Sequence, residues 1–194
     1  MAEEEGGVMI NSLLTLFLKC AWMILPGVLA NMAPVLIKPY FKWLAVPVDG
    51  GLTWHGKPLL GANKTVRGFV FGILAAMVGT GIQTYLFYRY SAIYELSLIN
   101  YGEYNFLLTG FLIGFGVLFG DSFKSFFKRR AGKAPGEKFF PYDQLDSVLG
   151  ALVFILFIYT PSWQVAAVLI GMSLFFHILI RHIGYFIGVN KSPW

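Results

Sequence analysis

Five apolar runs alternate with polar stretches along the chain, at about 9–37, 66–87, 105–127, 144–160 and 163–187. Several reach the ~18 residues that mark a candidate membrane-crossing helix. The pattern predicts an all-α, polytopic membrane protein: five transmembrane helices in one integral membrane domain covering residues 1–194. Pro26 and Pro34 interrupt the first run. Such prolines bend a membrane helix without excluding it, because neighbouring groups re-satisfy the freed backbone. A short turn through Thr160, Pro161 and Ser162 joins the last two runs. The start is acidic, with Glu3, Glu4 and Glu5, whereas a cleaved secretory signal opens with positive charge. The first run therefore reads as a retained helix.

Composition supports this reading. Charged residues are 13% of the chain and hydrophobic residues 57%, against roughly 25% charged in soluble domains. Charge position adds an orientation. With Arg67 counted with the first connection and Arg181 with the tail, every Lys and Arg except Lys19 and Arg89 falls on one side. That side holds loops 38–65 and 124–143 and the C-terminal tail. Lys and Arg mark the cytoplasmic side, so the expected placement is the cell membrane, with the N-terminus outside, the C-terminus cytoplasmic and the active site facing the cytoplasm. A net charge of +5 suits an anionic membrane surface and anionic ligands. The single cysteine, Cys20, excludes an internal disulfide and a zinc cluster. Glycines four apart, at 68 and 72, 110 and 114, 116 and 120, and 184 and 188, let helices approach closely. No internal repeat is evident, which weighs against a transporter built from inverted halves.

Two stretches carry chemistry. The first connection ends in Gly61-Ala62-Asn63-Lys64-Thr65-Val66-Arg67-Gly68 at the start of a helix. Glycine before a helix N-terminus frees backbone N–H groups for an anion. Lys64 adds a point charge, Thr65 a hydroxyl and Arg67 a bidentate fork. The spacing is not that of a nucleotide P-loop, and a basic cluster binding lipid headgroups fits these residues equally well. The second stretch is 114–150. Asp121, Lys124, Ser125 and Lys128 follow helical spacing and form one polar face. Asp143 and Asp146 are three apart at the next helix start, behind Pro141. Capping accounts for one aspartate there, but less well for two. Carboxylates from two helix ends can hold Mg²⁺ together with ligand phosphates, and two such ions could clamp an in-line phosphoryl displacement. The basic residues between, Lys128 to Arg130, Lys133 and Lys138, supply a positive field for a polyphosphate. Arg181 could snorkel to a lipid phosphate, although a positive-inside anchor explains it more simply.

Gly120-Asp121-x-x-Lys124-Ser125-x-x-Lys128-Arg129, followed by Asp143-x-x-Asp146-Ser147, resembles the signature of the membrane CTP transferases that make CDP-activated lipids, the phosphatidate cytidylyltransferase family. Asn63-Lys64-Thr65-x-Arg67-Gly68 is similar to that family's upstream Lys-Thr motif, with Arg67 where Glu is usual. The bacterial His-Gly-Gly is absent; Phe139-Phe140-Pro141-Tyr142 stands there instead. The short chain, Pro47 to Gly51, and Lys64 to Gly68 resemble the archaeal branch, the CDP-archaeol synthases. The resemblance implies an Mg²⁺-dependent nucleotidyltransferase of membrane phospholipid biosynthesis. Its expected partners are CTP, an isoprenoid-ether glycerol phosphate (2,3-di-O-geranylgeranylglycerol 1-phosphate) and the membrane, with no nucleic acid. The residues expected to act are Lys64, Asp121, Lys124 and Asp146 in catalysis. Asn63, Lys64, Thr65, Arg67, Lys124 and Lys128 are expected at the nucleotide, Arg67 and Arg181 at the lipid phosphate, and Asp121, Asp143 and Asp146 at metal. The competing readings are an enzyme acting on acyl phosphatidate and a small non-enzymatic transporter. A transporter calls for polar residues deep in several spans, whereas most charge here gathers at helix ends. A module binding only lipid headgroups would need the basic residues but not the aspartates.

Overall fold

The computed structural model describes residues 2–134 and 137–186, with side chains from Asn11 onward except those of residues 180, 181, 183 and 184. Its helices are α1 (Ala2–Leu36), α2 (Val66–Arg89), α3 (Ser91–Leu96), α4 (Phe106–Arg130), α5 (Tyr142–Ile155) and α6 (Trp163–Phe186). The five long helices fall on the five apolar runs. Three, α1 from Asn11 onward, α2 and α4, are long and apolar enough to cross a bilayer, and Trp163–Leu179 is a shorter apolar segment.

Two features depart from the expected five helices and plain loops, and only the second departs from all-α. The short helix α3 follows α2 after Tyr90. A two-stranded antiparallel hairpin, β1 (Thr53–Trp54) and β2 (Lys57–Pro58), occupies the first loop. The second loop is also shorter than expected at its start, because α4 stays helical through Arg130.

Helix starts follow their capping residues. Thr65 opens α2, its hydroxyl accepting from the Gly68 N–H at 3.2 Å. Asn105 opens α4, its side-chain oxygen accepting from the Leu107 N–H at 2.7 Å. Each satisfies a donor that the first helical turn leaves free. α1 runs through Pro26 and Pro34 without a break, and glycines of α2 receive both: Gly79 lies against Pro26 and Leu29, Gly68 against Pro34.

α4 is the centre of the bundle, packed against α1, α2 and α5. Gly110 and Gly114 meet the backbone of α2 at Met77 and Ile73. Gly116 and Gly120 meet α5 at Gly150 and Asp146. At Gly116, Gly120 and Gly150 no Cβ fits without a backbone collision across the crossing. This close approach places the start of α5 beside the last turns of α4. Apolar side chains such as Leu14, Leu36, Val78, Ile82 and Phe157 are exposed, as expected where lipid is the solvent. Inside the bundle Gln83 donates to the Trp22 carbonyl at 2.6 Å and accepts from the Tyr101 hydroxyl at 2.7 Å.

Candidate active site

The first loop is folded onto the end of α4. His55 and Gly56 both have positive φ, 51° and 72°, as a two-residue hairpin turn of the primed type requires. The Val48 N–H donates to the Lys64 carbonyl at 2.8 Å, and the Val66 N–H to the Val46 carbonyl at 2.9 Å. The Asp49 carboxylate accepts from the N–H groups of Gly51 and Leu60 at 3.0 and 2.8 Å. These bonds tie the returning strand down and present Gly61 to Lys64 towards α4. Arg130 fastens the hairpin. Its guanidinium donates to the carbonyls of Trp54 at 2.6 Å, Lys57 at 3.1 Å and Pro58 at 2.6 Å. It also lies 5.6 and 5.3 Å from the ring centres of Trp54 and Phe126, which stack on each other. Sequence reasoning placed Arg130 in a phosphate-attracting field; its hydrogen bonds make it a clamp.

Three lysines and three aspartates meet where this loop, α4 and the start of α5 converge. Lys64 Nζ is ion-paired with Asp121 Oδ2. Lys124 Nζ reaches all three carboxylates: Asp121 at 3.2 Å, Asp143 at 3.0 Å and Asp146 at 2.8 Å. Lys128 Nζ holds Asp143 through both oxygens, at 3.1 and 3.2 Å. Asp143 Oδ2 also accepts from the Phe139 N–H at 2.7 Å, which anchors the segment ahead of α5. Burial alone would push the Asp143 carboxyl up. Hydrogen bonds and charge from Lys124, with Lys128 and the Phe139 N–H, outweigh it and hold its pKa below the ordinary carboxylate value. Neither aspartate is accounted for by capping: the N-cap of α5, Pro141, has no side-chain cap bond, Asp143 accepts from the Phe139 N–H ahead of the helix, and Asp146 accepts from the neighbouring Ser147 N–H.

A cleft of about 120 Å³ opens beside the cluster, lined by Leu60, Gly61, Ala62, Asn63, Lys64, Lys124, Ser125, Lys128 and Arg129. Of the residues expected at the nucleotide, Asn63, Lys64, Lys124 and Lys128 line it. Thr65 and Arg67 are otherwise engaged. The Thr65 hydroxyl caps α2. Arg67 is buried and donates through Nη1 to the carbonyls of Lys38 and Tyr40, both at 2.9 Å, closing the chain just after α1. The side chain of Arg181, assigned to a lipid phosphate, lies outside the described residues. Sequence reasoning placed Arg129 in the same phosphate-attracting field as Arg130; it lines the cleft and is 9% exposed. Its signal was its place in the Lys128-Arg129-Arg130 run, where helical phase separates three basic residues into three environments.

The carboxylates also bear on a metal. Among the described residues no group of three acidic, histidine or cysteine side chains stands ready to hold one ion. Lys124 sits between the three aspartates instead. Asp121 and Asp146 nevertheless both reach the same ammonium nitrogen, so they face a common point. A pair of carboxylates completed by ligand phosphates and waters suits Mg²⁺. The donor chemistry of Asp121 and Asp146 fits such an ion, with Lys124 now in the place it would take. Asp143, held by two lysines and a backbone N–H, is less free to serve.

Comparisons with known proteins complete the picture. The family profile described as CarS-like, CDP-archaeol synthase, matches residues 13–194. A CDP-archaeol synthase of Methanococcoides burtonii is 38% identical over 158 residues, covering 76% of this chain and 90% of the relative. That of Archaeoglobus fulgidus is 35% identical over 188 residues, covering 94% of this chain and all of the relative. A solved structure described as an intramembrane enzyme for archaeal membrane lipid biosynthesis superimposes with a TM-score of 0.63 at 30% identity. The match covers 82% of this chain and 90% of that one.

Proposed function

The chain belongs to the CDP-archaeol synthase family, and we propose that it is a membrane cytidylyltransferase. In this reading it joins CTP to an isoprenoid-ether glycerol phosphate, giving the CDP-activated lipid and pyrophosphate. The observation that carries the reading is the convergence of Lys64, Lys124 and Lys128 with Asp121, Asp143 and Asp146 beside a cationic cleft. This reading favours the ether lipid over acyl phosphatidate because the family and its relatives carry the archaeol name.

A lipid phosphate oxygen attacks the α-phosphorus of CTP, a new P–O bond forms, and the bond to the β-phosphate breaks as pyrophosphate leaves. The nucleophile is already an anion, so no strong base is needed. Catalysis is positioning and charge neutralisation. Lys64 and Lys128 steer the triphosphate. Lys124 exchanges its carboxylates for phosphate oxygens as the nucleotide arrives. Asn63 offers an amide to the nucleotide. Asp121 and Asp146 would hold Mg²⁺, which would neutralise charge on the phosphates. Asp143 positions Lys124 and Lys128.

The same reading sets the chain in the cell membrane with five crossings, residues 144–160 supplying the short fourth one. The N-terminus is then outside and the cleft opens to the cytoplasm, supported by the Lys and Arg distribution. CTP enters from that side and the lipid phosphate sideways from the inner leaflet.

The test is pyrophosphate release by purified protein in bilayer discs with CTP, Mg²⁺ and di-geranylgeranylglycerol phosphate. Release that requires both substrates is expected, with phosphatidate a poorer acceptor. No release with any lipid phosphate would overturn the reading. Faster turnover of phosphatidate would return the acyl alternative.

A further inference from the structure

Residues 38–48 carry the chain from α1 to the hairpin loop and take no part in lining the cleft. They read Lys-Pro-Tyr-Phe-Lys-Trp-Leu-Ala-Val-Pro-Val, with no acidic residue. The rings point outward: Tyr40, Phe41 and Trp43 are 63%, 45% and 75% exposed. The ammonium groups of Lys38 and Lys42 make no ion pair or hydrogen bond among the described residues. Asp49, the first carboxylate after the segment, already accepts from the N–H groups of Gly51 and Leu60. Exposed rings interleaved with unpaired lysines are the composition of a segment lying at a membrane–water boundary.

The geometry places it there. The segment follows the end of α1, where the apolar Val35 and Leu36 are exposed. Phe41 has φ 47°, a left-handed conformation that a bulky residue rarely adopts. Its ring lies 4.7 Å from that of Phe71. Phe71 is five residues into α2, about 7.5 Å along the axis from its start. Arg67, in the first turn of α2, holds the Lys38 and Tyr40 carbonyls at 2.9 Å each. The far end of the segment is tied to the site. The Val66 N–H donates to the Val46 carbonyl and the Val48 N–H to the Lys64 carbonyl, around a bridge between Pro47 and Thr65. The outward face and Lys64 are therefore parts of one connected strap. Its charge is complementary to anionic headgroups, which attract basic residues beside a spanning helix.

We propose that residues 38–48 dock on anionic lipid headgroups of the leaflet beside the cleft, and that docking steadies Lys64 through the bonds at Val46 and Val48. Lys38 and Lys42 meet the headgroup phosphates, and Tyr40 and Trp43 lie in the interface. The docking needs only the membrane placement; its effect on turnover rests on the cytidylyltransferase reading.

The test compares bilayer discs of phosphatidylcholine with discs that also carry phosphatidylglycerol, at the same low content of di-geranylgeranylglycerol phosphate. In the wild type, the phosphatidylglycerol discs slow hydrogen exchange at the N–H groups of Val48 and Val66 and lower KM for CTP by about two- to tenfold. The double variant Lys38→Gln, Lys42→Gln matches the wild type in phosphatidylcholine and gains nothing from phosphatidylglycerol. Lipids brominated high on their chains quench wild-type emission more than that of Trp43→Phe. Wild-type exchange that is the same in the two discs overturns the proposal. So does a double variant that responds as the wild type does, or quenching unchanged in Trp43→Phe, which would put Trp43 in water. Equal protection by soluble glycerol phosphate in phosphatidylcholine discs also overturns it, because the site would then take a free anion rather than a surface. If the double variant fails to fold, Lys42→Gln alone carries the same comparisons. If exchange responds but no disc supports pyrophosphate release, the functional reading fails and the docking stands.

Discussion

Lys64 and Asp121, 57 residues apart in the chain, are ion-paired. The pair closes the first loop onto α4 and joins the two chemistry-bearing stretches into one site. Neither stretch is complete alone: the loop brings the cation and backbone, and α4 brings the carboxylate.

Asp121→Asn keeps the size of the side chain and removes its charge. Lys124 retains Asp143 and Asp146, so the fold survives with an unchanged helical spectrum. Turnover falls by about 10³-fold or more, the scale of losing a charge that acts on the reacting phosphates. Activity near that of the wild type would remove Asp121 from the proposed metal pair.

Lys124 is the hub that holds three carboxylates together. Lys124→Ala leaves Asp146, whose side chain is 7% exposed, without its buried partner. Removing one member of a buried pair costs roughly 3 kcal/mol or more. Chemical denaturation in detergent should show this loss. A shift below ~1 kcal/mol would mean that water or another cation replaces the ammonium.

Much of this was legible in the chain. The apolar runs are long and located all five long helices, because a buried or lipid-facing helix leaves a signal over a dozen or more positions. The i, i+3, i+4, i+7 face of Asp121, Lys124, Ser125 and Lys128 also follows from spacing alone. Pairing across elements does not. Spacing allows the Asp121–Lys124 pair within α4 but could not show that Lys124 also reaches Asp143 and Asp146, or that Arg67 turns to the Lys38 and Tyr40 carbonyls. Strands of two residues are too short for an alternating pattern, so β1 and β2 went unseen, although His55-Gly56 is a workable hairpin turn. α3 has six residues, too few for helical periodicity to register.

Arg130 holds the hairpin through three carbonyls and two rings. Arg130→Lys keeps the charge but cannot reproduce that fork or the ring contacts. The loop then loosens by roughly 1–2 kcal/mol. Faster hydrogen exchange at residues 53–60 is expected, together with a several-fold higher KM for CTP and a nearly unchanged kcat. Unaltered exchange would show that the Val46–Val66 and Val48–Lys64 bonds suffice.

Asp143 gives the site a defined acid limit. Its folded pKa is lowered, so the unfolded chain binds its proton more readily than the folded one. The stability from this carboxylate is therefore fully present above the ordinary aspartate value of about 3.9 and is lost as pH falls through the lower folded value. The melting-temperature gap between wild type and Asp143→Asn should be widest near neutral pH and shrink as pH falls below the ordinary aspartate value. A gap that widens on acidification would reverse the sign.

The α4–α5 crossing sets the position of Asp146. A Cβ at Gly120 would collide with the Asp146 carbonyl and crowd Gly150. Both neighbours are backbone, so neither can swing aside as a flexible side chain would. Gly120→Ala must push α5 away from α4, carrying Asp146 off Lys124. Overpacking of this kind costs about 1–3 kcal/mol. Because the displaced group is a proposed metal ligand, activity should fall further than stability alone accounts for, by about tenfold or more in kcat at a temperature where the variant is folded. Gly171→Ala on α6 is the control, since a Cβ there meets nothing within 4 Å; replacing a mid-helix glycine should leave activity unchanged and raise stability by up to about 1 kcal/mol. Equal activity in the two variants would show that the tight crossing is not what places Asp146.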